Sequence, residues 1–100
     1  MLLRAPLSPM CTPALAAQLR EPADLGRHTL LRSYRTQEWE GWFAGLDQAA
    51  PLARGAMFDS SLTLAEAAAQ GAGIALLPAR MFEHMLQQGR LVRPFAHKVD

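Results

Sequence analysis

One hundred residues, half of them hydrophobic, supply one core and too little chain for two ordinary domains. Ten Lys and Arg against nine Asp and Glu leave a net charge of +1, which gives no long-range field with which to hold a polyanion. The single cysteine, Cys11, excludes an internal disulfide framework, and with His28, His84 and His97 it forms no pair at metal-ligand spacing, so neither a metal nor another cofactor is expected. Met1-Leu2-Leu3-Arg4-Ala5-Pro6 is far short of the roughly 7 to 15 apolar residues of a secretory signal. No uncharged run approaches the ~18 residues of a spanning helix. The expectation is a soluble, cytoplasmic chain without membrane contact.

In chain order, Pro6 to Cys11 carries two prolines and reads as an extended or edge segment, because proline cannot donate to a central ladder. Thr12-Pro13 then begins a helix that Ala14 to Leu19 continue: a hydroxyl able to cap free amides precedes a proline at the first helical position. Glu21-Pro22-Ala23-Asp24 reads as a loop, and Thr29-Leu30-Leu31 as a short buried strand. Trp39, Trp42, Phe43 and Leu46 fall at i, i+3, i+4 and i+7, the spacing of one helix face, and Gly45 places the helix end nearby.

Ala56-Met57-Phe58 is the next strand. Asp59-Ser60-Ser61 offers three consecutive residues able to cap a helix, with Thr63-x-x-Glu66 as an alternative capping box. Leu64, Ala67 and Ala68 repeat at helical spacing, and Gly71 suits the left-handed turn that releases the chain into Ile74-Ala75-Leu76-Leu77. That unbroken apolar run predicts burial on both faces, and Pro78 stops it. Met81, Phe82, Met85 and Leu86 line a helix ending at Gly89, and Leu91-Val92 begins a last strand. Strand alternating with helix over short connections predicts an α/β structure with a mainly parallel sheet flanked by helices.

In such sheets ligands sit outside the carboxyl ends of strands, where helix amino termini present free N–H groups. Phe58-Asp59-Ser60-Ser61 occupies such a junction and would offer amides and hydroxyls to a carboxylate or phosphate, with ordinary capping as the alternative reading. Arg32-Ser33-Tyr34-Arg35 is the densest group of donors in the chain, able to grip an anion or simply to lie solvated at a strand exit. Thr12 is a third possible contact or a plain cap. The Trp39, Trp42 and Phe43 stripe reads as core, as do Met81 and Met85, and Cys11 as a packed thiol. The chain contains no G-x-S-x-G elbow, no G-x-x-x-x-G-K-[ST] loop and no G-x-G-x-x-G turn, so an enzyme is not expected.

Pro6-Leu7-Ser8-Pro9-Met10-Cys11-Thr12-Pro13-Ala14-Leu15-Ala16, Pro22-Ala23-Asp24-Leu25, His28-Thr29-Leu30-Leu31, Arg32-Ser33-Tyr34-Arg35, Phe58-Asp59-Ser60-Ser61 and Gly89-Arg90-Leu91-Val92-Arg93-Pro94-Phe95 together resemble the effector-binding domain of LysR-type transcriptional regulators. The Arg-Ser-Tyr-Arg and Phe-Asp-Ser-Ser combination is most similar to the regulators of inducible chromosomal β-lactamase. The resemblance implies a periplasmic-binding-protein-like (type 2) fold of two subdomains with the effector held between them. It makes residues 1–5 a crossover strand, 6–92 the second effector-binding subdomain, and 93–100 the start of the return to the first.

It further implies a small-molecule effector, a muropeptide or a nucleotide-linked muramyl peptide, contacted by Ser61 with Ser60, Asp59, Thr12, Arg32 and Tyr34. The parent regulator would form a homo-oligomer through this domain and bind DNA only through a winged helix-turn-helix that the resemblance places outside this chain. An oligomerisation module, or a remnant without function of its own, is the competing reading.

Overall fold

The computed structural model describes residues 6–33 and 38–97. Among them, four short strands and four α-helices follow one another: β1 (Leu7–Met10), α1 (Pro13–Ala16), β2 (Arg32–Ser33), α2 (Glu38–Ala44), β3 (Met57–Phe58), α3 (Ser61–Ala69), β4 (Ala75–Pro78) and α4 (Glu83–Gln87). The expected crossover strand over 1–5 and the last residues of the return segment, 98–100, lie outside the described residues, as does Tyr34.

β2 pairs in parallel with β3, setting Arg32 opposite Met57 and Ser33 opposite Phe58. A parallel bridge from Leu30 to Ile74 joins this pair to the β4 side, through Leu31 N–H to Ile74 O (2.8 Å) and Ile74 N–H to Thr29 O (2.9 Å). β1 runs antiparallel to β4, with Leu7 opposite Pro78 and Met10 opposite Ala75, and Cys11 bridges antiparallel to Val92. The spatial order is therefore β3, β2, β4, β1. Where the order of elements leads one to expect mainly parallel pairing, parallel and antiparallel contacts are balanced. The reason is the proline-bearing first segment, which enters beside β4 running the other way, a direction that alternation of elements leaves open.

The apolar run through β4 is buried along its whole length, and it divides the core in two. Ala75 and Leu77 face one cluster with Met10, Leu31, Leu64, Ala65, Ala68, Phe82, Met85 and Leu91. Ile74 and Leu76 face the other, with Cys11, Leu19, Leu25, Leu30, Trp39, Trp42 and Phe43. Neighbouring residues thus serve opposite faces, as strand periodicity requires, and helices cover both. The aromatic stripe of α2 packs edge-to-face within the second cluster: Trp42 and Phe43 lie 5.0 Å apart at 83°, and Trp39 and Trp42 lie 6.2 Å apart at 77°.

Several local expectations change. The first helix stops at Ala16 rather than reaching Leu19, although Leu19 is buried. The supposed loop at Glu21–Asp24 belongs to a 3₁₀ helix, Pro22–Arg27, because the Asp24 carboxylate folds back to accept the amides of Arg20 (2.8 Å) and Glu21 (3.2 Å). Those two amides, with the nearby charges of Arg27 and Arg20, hold its carboxyl below the usual carboxylate value. The helix drawn from Met81 begins as a 3₁₀ turn, Ala79–Phe82, which swings Met81 out to 61% exposure while Phe82 and Met85 stay in the core. Met81 is thus no core residue. The capping box at Thr63 is also replaced: Thr63 lies inside α3 with its hydroxyl donating to Ser60 O (3.0 Å), and Glu66 reaches across to Arg90 (2.7 Å).

Cys11 is fully buried, and burial pushes its thiol up to about 11. A thiolate is the reactive form, so the native chain is expected to resist iodoacetamide at neutral pH and to be alkylated rapidly once urea unfolds it. Equal alkylation rates in the two states would contradict this burial.

Candidate functional site

Parallel pairing of β2 with β3 brings the carboxyl ends of both strands to one edge. Ser33, the last residue of β2, lies opposite Phe58, and Asp59 and Ser60 follow directly. Ser60 is the N-cap of α3: its extended backbone (φ −145°, ψ 143°) turns the chain, and its Oγ accepts the amides of Leu62 (3.1 Å) and Thr63 (3.3 Å). The capping reading therefore holds for the Ser60 oxygen lone pairs. Ser61 differs. It is exposed at the first helical position, where neither hydroxyl nor amide meets a partner among the described residues. It presents two donors on the positive end of the nine-residue α3, a setting that favours a carboxylate by about 0.3–1 kcal/mol. Asp59 is exposed beside them.

Arg32 is half-buried, and its Nε donates to Gly55 O (2.8 Å) while its amide donates to Ala56 O (3.0 Å). The guanidinium is thereby committed in part to fastening the segment before β3. Ser33 Oγ donates to Glu38 Oε1 (2.6 Å), so the first turn of α2 places a carboxylate at the same edge. Sequence reasoning assigned Glu38 no contact; spacing alone cannot show that this side chain meets Ser33. Leu31, Arg32, Ser33, Glu38, Trp39 and Leu64 surround a recess of only about 10 Å³, room for one water and no more. A larger ligand would rest on this edge rather than inside it.

Thr12 is not part of this cluster. Because β1 is antiparallel to β4, the residue after Cys11 lies at the amino-terminal end of the parallel strands, opposite to Ser60 and Ser61. Its hydroxyl accepts the Leu15 amide at 3.3 Å, the plain cap that was the alternative reading. Ser33, Asp59, Ser60, Ser61 and Arg32 are thus gathered at one edge of the sheet, with Glu38 added and Thr12 removed.

This α/β sheet gathers its strand-to-helix junctions at one end, the place where sheets of this kind hold small-molecule ligands. Residues 1–100 match the LysR substrate binding domain family, and the chain belongs to it. It is 54% identical over 99 residues to the HTH-type transcriptional activator AmpR of Rhodobacter capsulatus and 55% identical over 101 residues to AmpR of Pseudomonas aeruginosa, in each case 99% of this chain and 34% of the relative. The chain spans about a third of the length of these relatives. Among solved structures it superimposes on the effector domain of Pseudomonas aeruginosa AmpR with a TM-score of 0.90 at 53% identity, covering 95% of this chain and 46% of that one. The AmpR effector binding domain of Citrobacter freundii gives 0.91 at 45% identity, covering 96% and 49%. The relatives are transcriptional regulators, and no helix among the described residues is long and apolar enough to cross a membrane.

Proposed function

We propose that this chain is the second subdomain, residues 6–92, of an AmpR-like effector domain, and that its edge formed by Ser33, Glu38 and Asp59 to Ser61 is one wall of a site for cell-wall muropeptides. The observation that supports it is the open N-terminus of α3, where Ser61 has a hydroxyl and an amide without partners among the described residues, while the Glu38 carboxylate stands at the exit of β2 on the same sheet edge. A peptide carries carboxylate and ammonium groups together. Its carboxylate suits Ser60 and Ser61, and its ammonium suits Glu38. In the whole regulator such a ligand would act by its differential affinity for two arrangements of paired subdomains, shifting their populations and so the control of β-lactamase expression through a DNA-binding domain.

The test is an amide-resolved NMR titration of the 100-residue chain with a muramyl pentapeptide. Shifts confined to amides around Ser33, Glu38, Ser60 and Ser61 are expected, and Ser61→Ala should weaken binding several-fold with the fold unchanged. Ser60→Ala should instead cost about 1 kcal/mol of stability, because it removes the cap. Identical affinity for the parent chain and Ser61→Ala would end the assignment of Ser61.

A second reading has its own observation. Met57 on β3 is 50% exposed and Leu62 on α3 is 69% exposed, and among the described residues β3 pairs only with β2. An open strand edge with apolar neighbours favours self-association. A mass that rises with concentration in the absence of ligand would support an oligomerisation role.

A further inference from the structure

At the other end of the sheet, the segments that lead into the parallel strands surround a groove of about 540 Å³. Arg27 and His28 come from the approach to β2, Arg54 from the approach to β3, and Gly73 from the turn before β4. Among the described residues, no carboxylate lines it. Arg54 and the His28 ring have no hydrogen-bond or charged partner among the described residues, and Arg27 feels the charge of Asp24, whose Oδ2 already accepts two backbone amides. Gly73 is buried, yet its N–H also lacks a partner among the described residues. Gly73 itself lines the groove, so this N–H is a donor available to whatever occupies it.

We propose that this groove is an anion-binding site, taking a small molecule that carries a phosphate or paired carboxylates. Two arginines line it from different segments, and guanidinium forks match the planar oxygens of these groups bidentately. The imidazole and the Gly73 amide add donors of a shorter reach. Leu52, 75% exposed, forms an apolar wall on the same groove, which suits an anion with a nonpolar body. The fold itself positions the parts: a Cβ at Gly73 would sit 2.5 Å from Thr29 O, so only glycine lets this turn close against the start of β2. The site stands at the opposite end of the strands from Ser60 and Ser61, separated by the ~10 Å run of extended chain from Leu30 to Ser33, and it does not rest on the muropeptide reading.

The 100-residue chain is titrated with inorganic phosphate and, separately, with citrate, at constant ionic strength, while amide NMR shifts are followed. Saturable shifts are expected at Arg27 to Thr29, Arg54 and Gly71 to Gly73, and the double substitution Arg27→Gln with Arg54→Gln should weaken binding at least tenfold while the remaining spectrum stays in place. Saturation by phosphate alone assigns a phosphate ligand, and by citrate alone a polycarboxylate. Linear, non-saturating shifts with both anions overturn the proposal, as does equal affinity in the double variant. A chain with an undispersed spectrum has no groove and overturns it too.

Discussion

Trp42→Ala is expected to remove about 3–5 kcal/mol of stability, the range for truncating a buried aromatic, from a domain whose total is roughly 5–15 kcal/mol. Trp42 is fully buried and its ring meets Trp39, Phe43, Phe95 and His97. Its Nε1–H donates to His97 O at 3.1 Å, and the His97 ring returns a hydrogen bond to Trp42 O at 3.0 Å. The side chain therefore ties the segment at His97 to α2 as well as filling the second core cluster. Trp42→Phe keeps most of the ring and loses the indole donor, so its cost should be smaller, about 1–2 kcal/mol. Urea unfolding followed by the fluorescence of Trp39 measures both. A loss below about 1 kcal/mol in the alanine variant would show that the cluster collapses around the gap.

The same tryptophan shows what was legible in the sequence. Its helix could be read because Trp39, Trp42, Phe43 and Leu46 recur at helical spacing, and α2 does end at Ala44, just before Gly45. The division of β4 between two faces was readable for a similar reason, since an apolar run bounded by Gly73 and Pro78 has nowhere to show a polar side. What pattern could not show was direction and reach. The antiparallel entry of β1 moves Thr12 to the far end of the sheet, and nothing in Ser8-Pro9-Met10 encodes the sense of pairing. Met81 has core chemistry yet is exposed, because a 3₁₀ turn rather than an α-helix begins there and rotates the face. The edge at Phe58 to Ser61 was legible through capping residues that follow a strand. Its neighbour Glu38 was not, since no spacing rule pairs a residue at the start of a helix with the last residue of the strand before it.

Gly55→Ala is expected to cost about 1–3 kcal/mol and to disturb the candidate site from a distance. An added Cβ would lie 2.5 Å from Leu30 O and 2.9 Å from both Leu30 C and Leu31 Cα, all backbone atoms that no rotamer change can move. Gly55 also donates its amide to Leu30 O (3.0 Å) and accepts Arg32 Nε at its carbonyl (2.8 Å), so pushing the segment away breaks both bonds, each worth about 1 kcal/mol. These contacts hold the segment before β3 against β2, and through that pairing they set Ser33 opposite Phe58, two residues before the Ser60 cap. Amide shifts at Ser60 and Ser61 should therefore change in the ligand-free variant, although Gly55 precedes β3 and touches neither serine. Gly71→Ala is the comparison: φ is +87° there and a Cβ meets nothing within 4 Å, so the cost is backbone strain alone, about 1 kcal/mol, with Ser60 and Ser61 unmoved. Were Gly55→Ala no worse than Gly71→Ala, the close approach of the two segments would carry no weight in positioning the site.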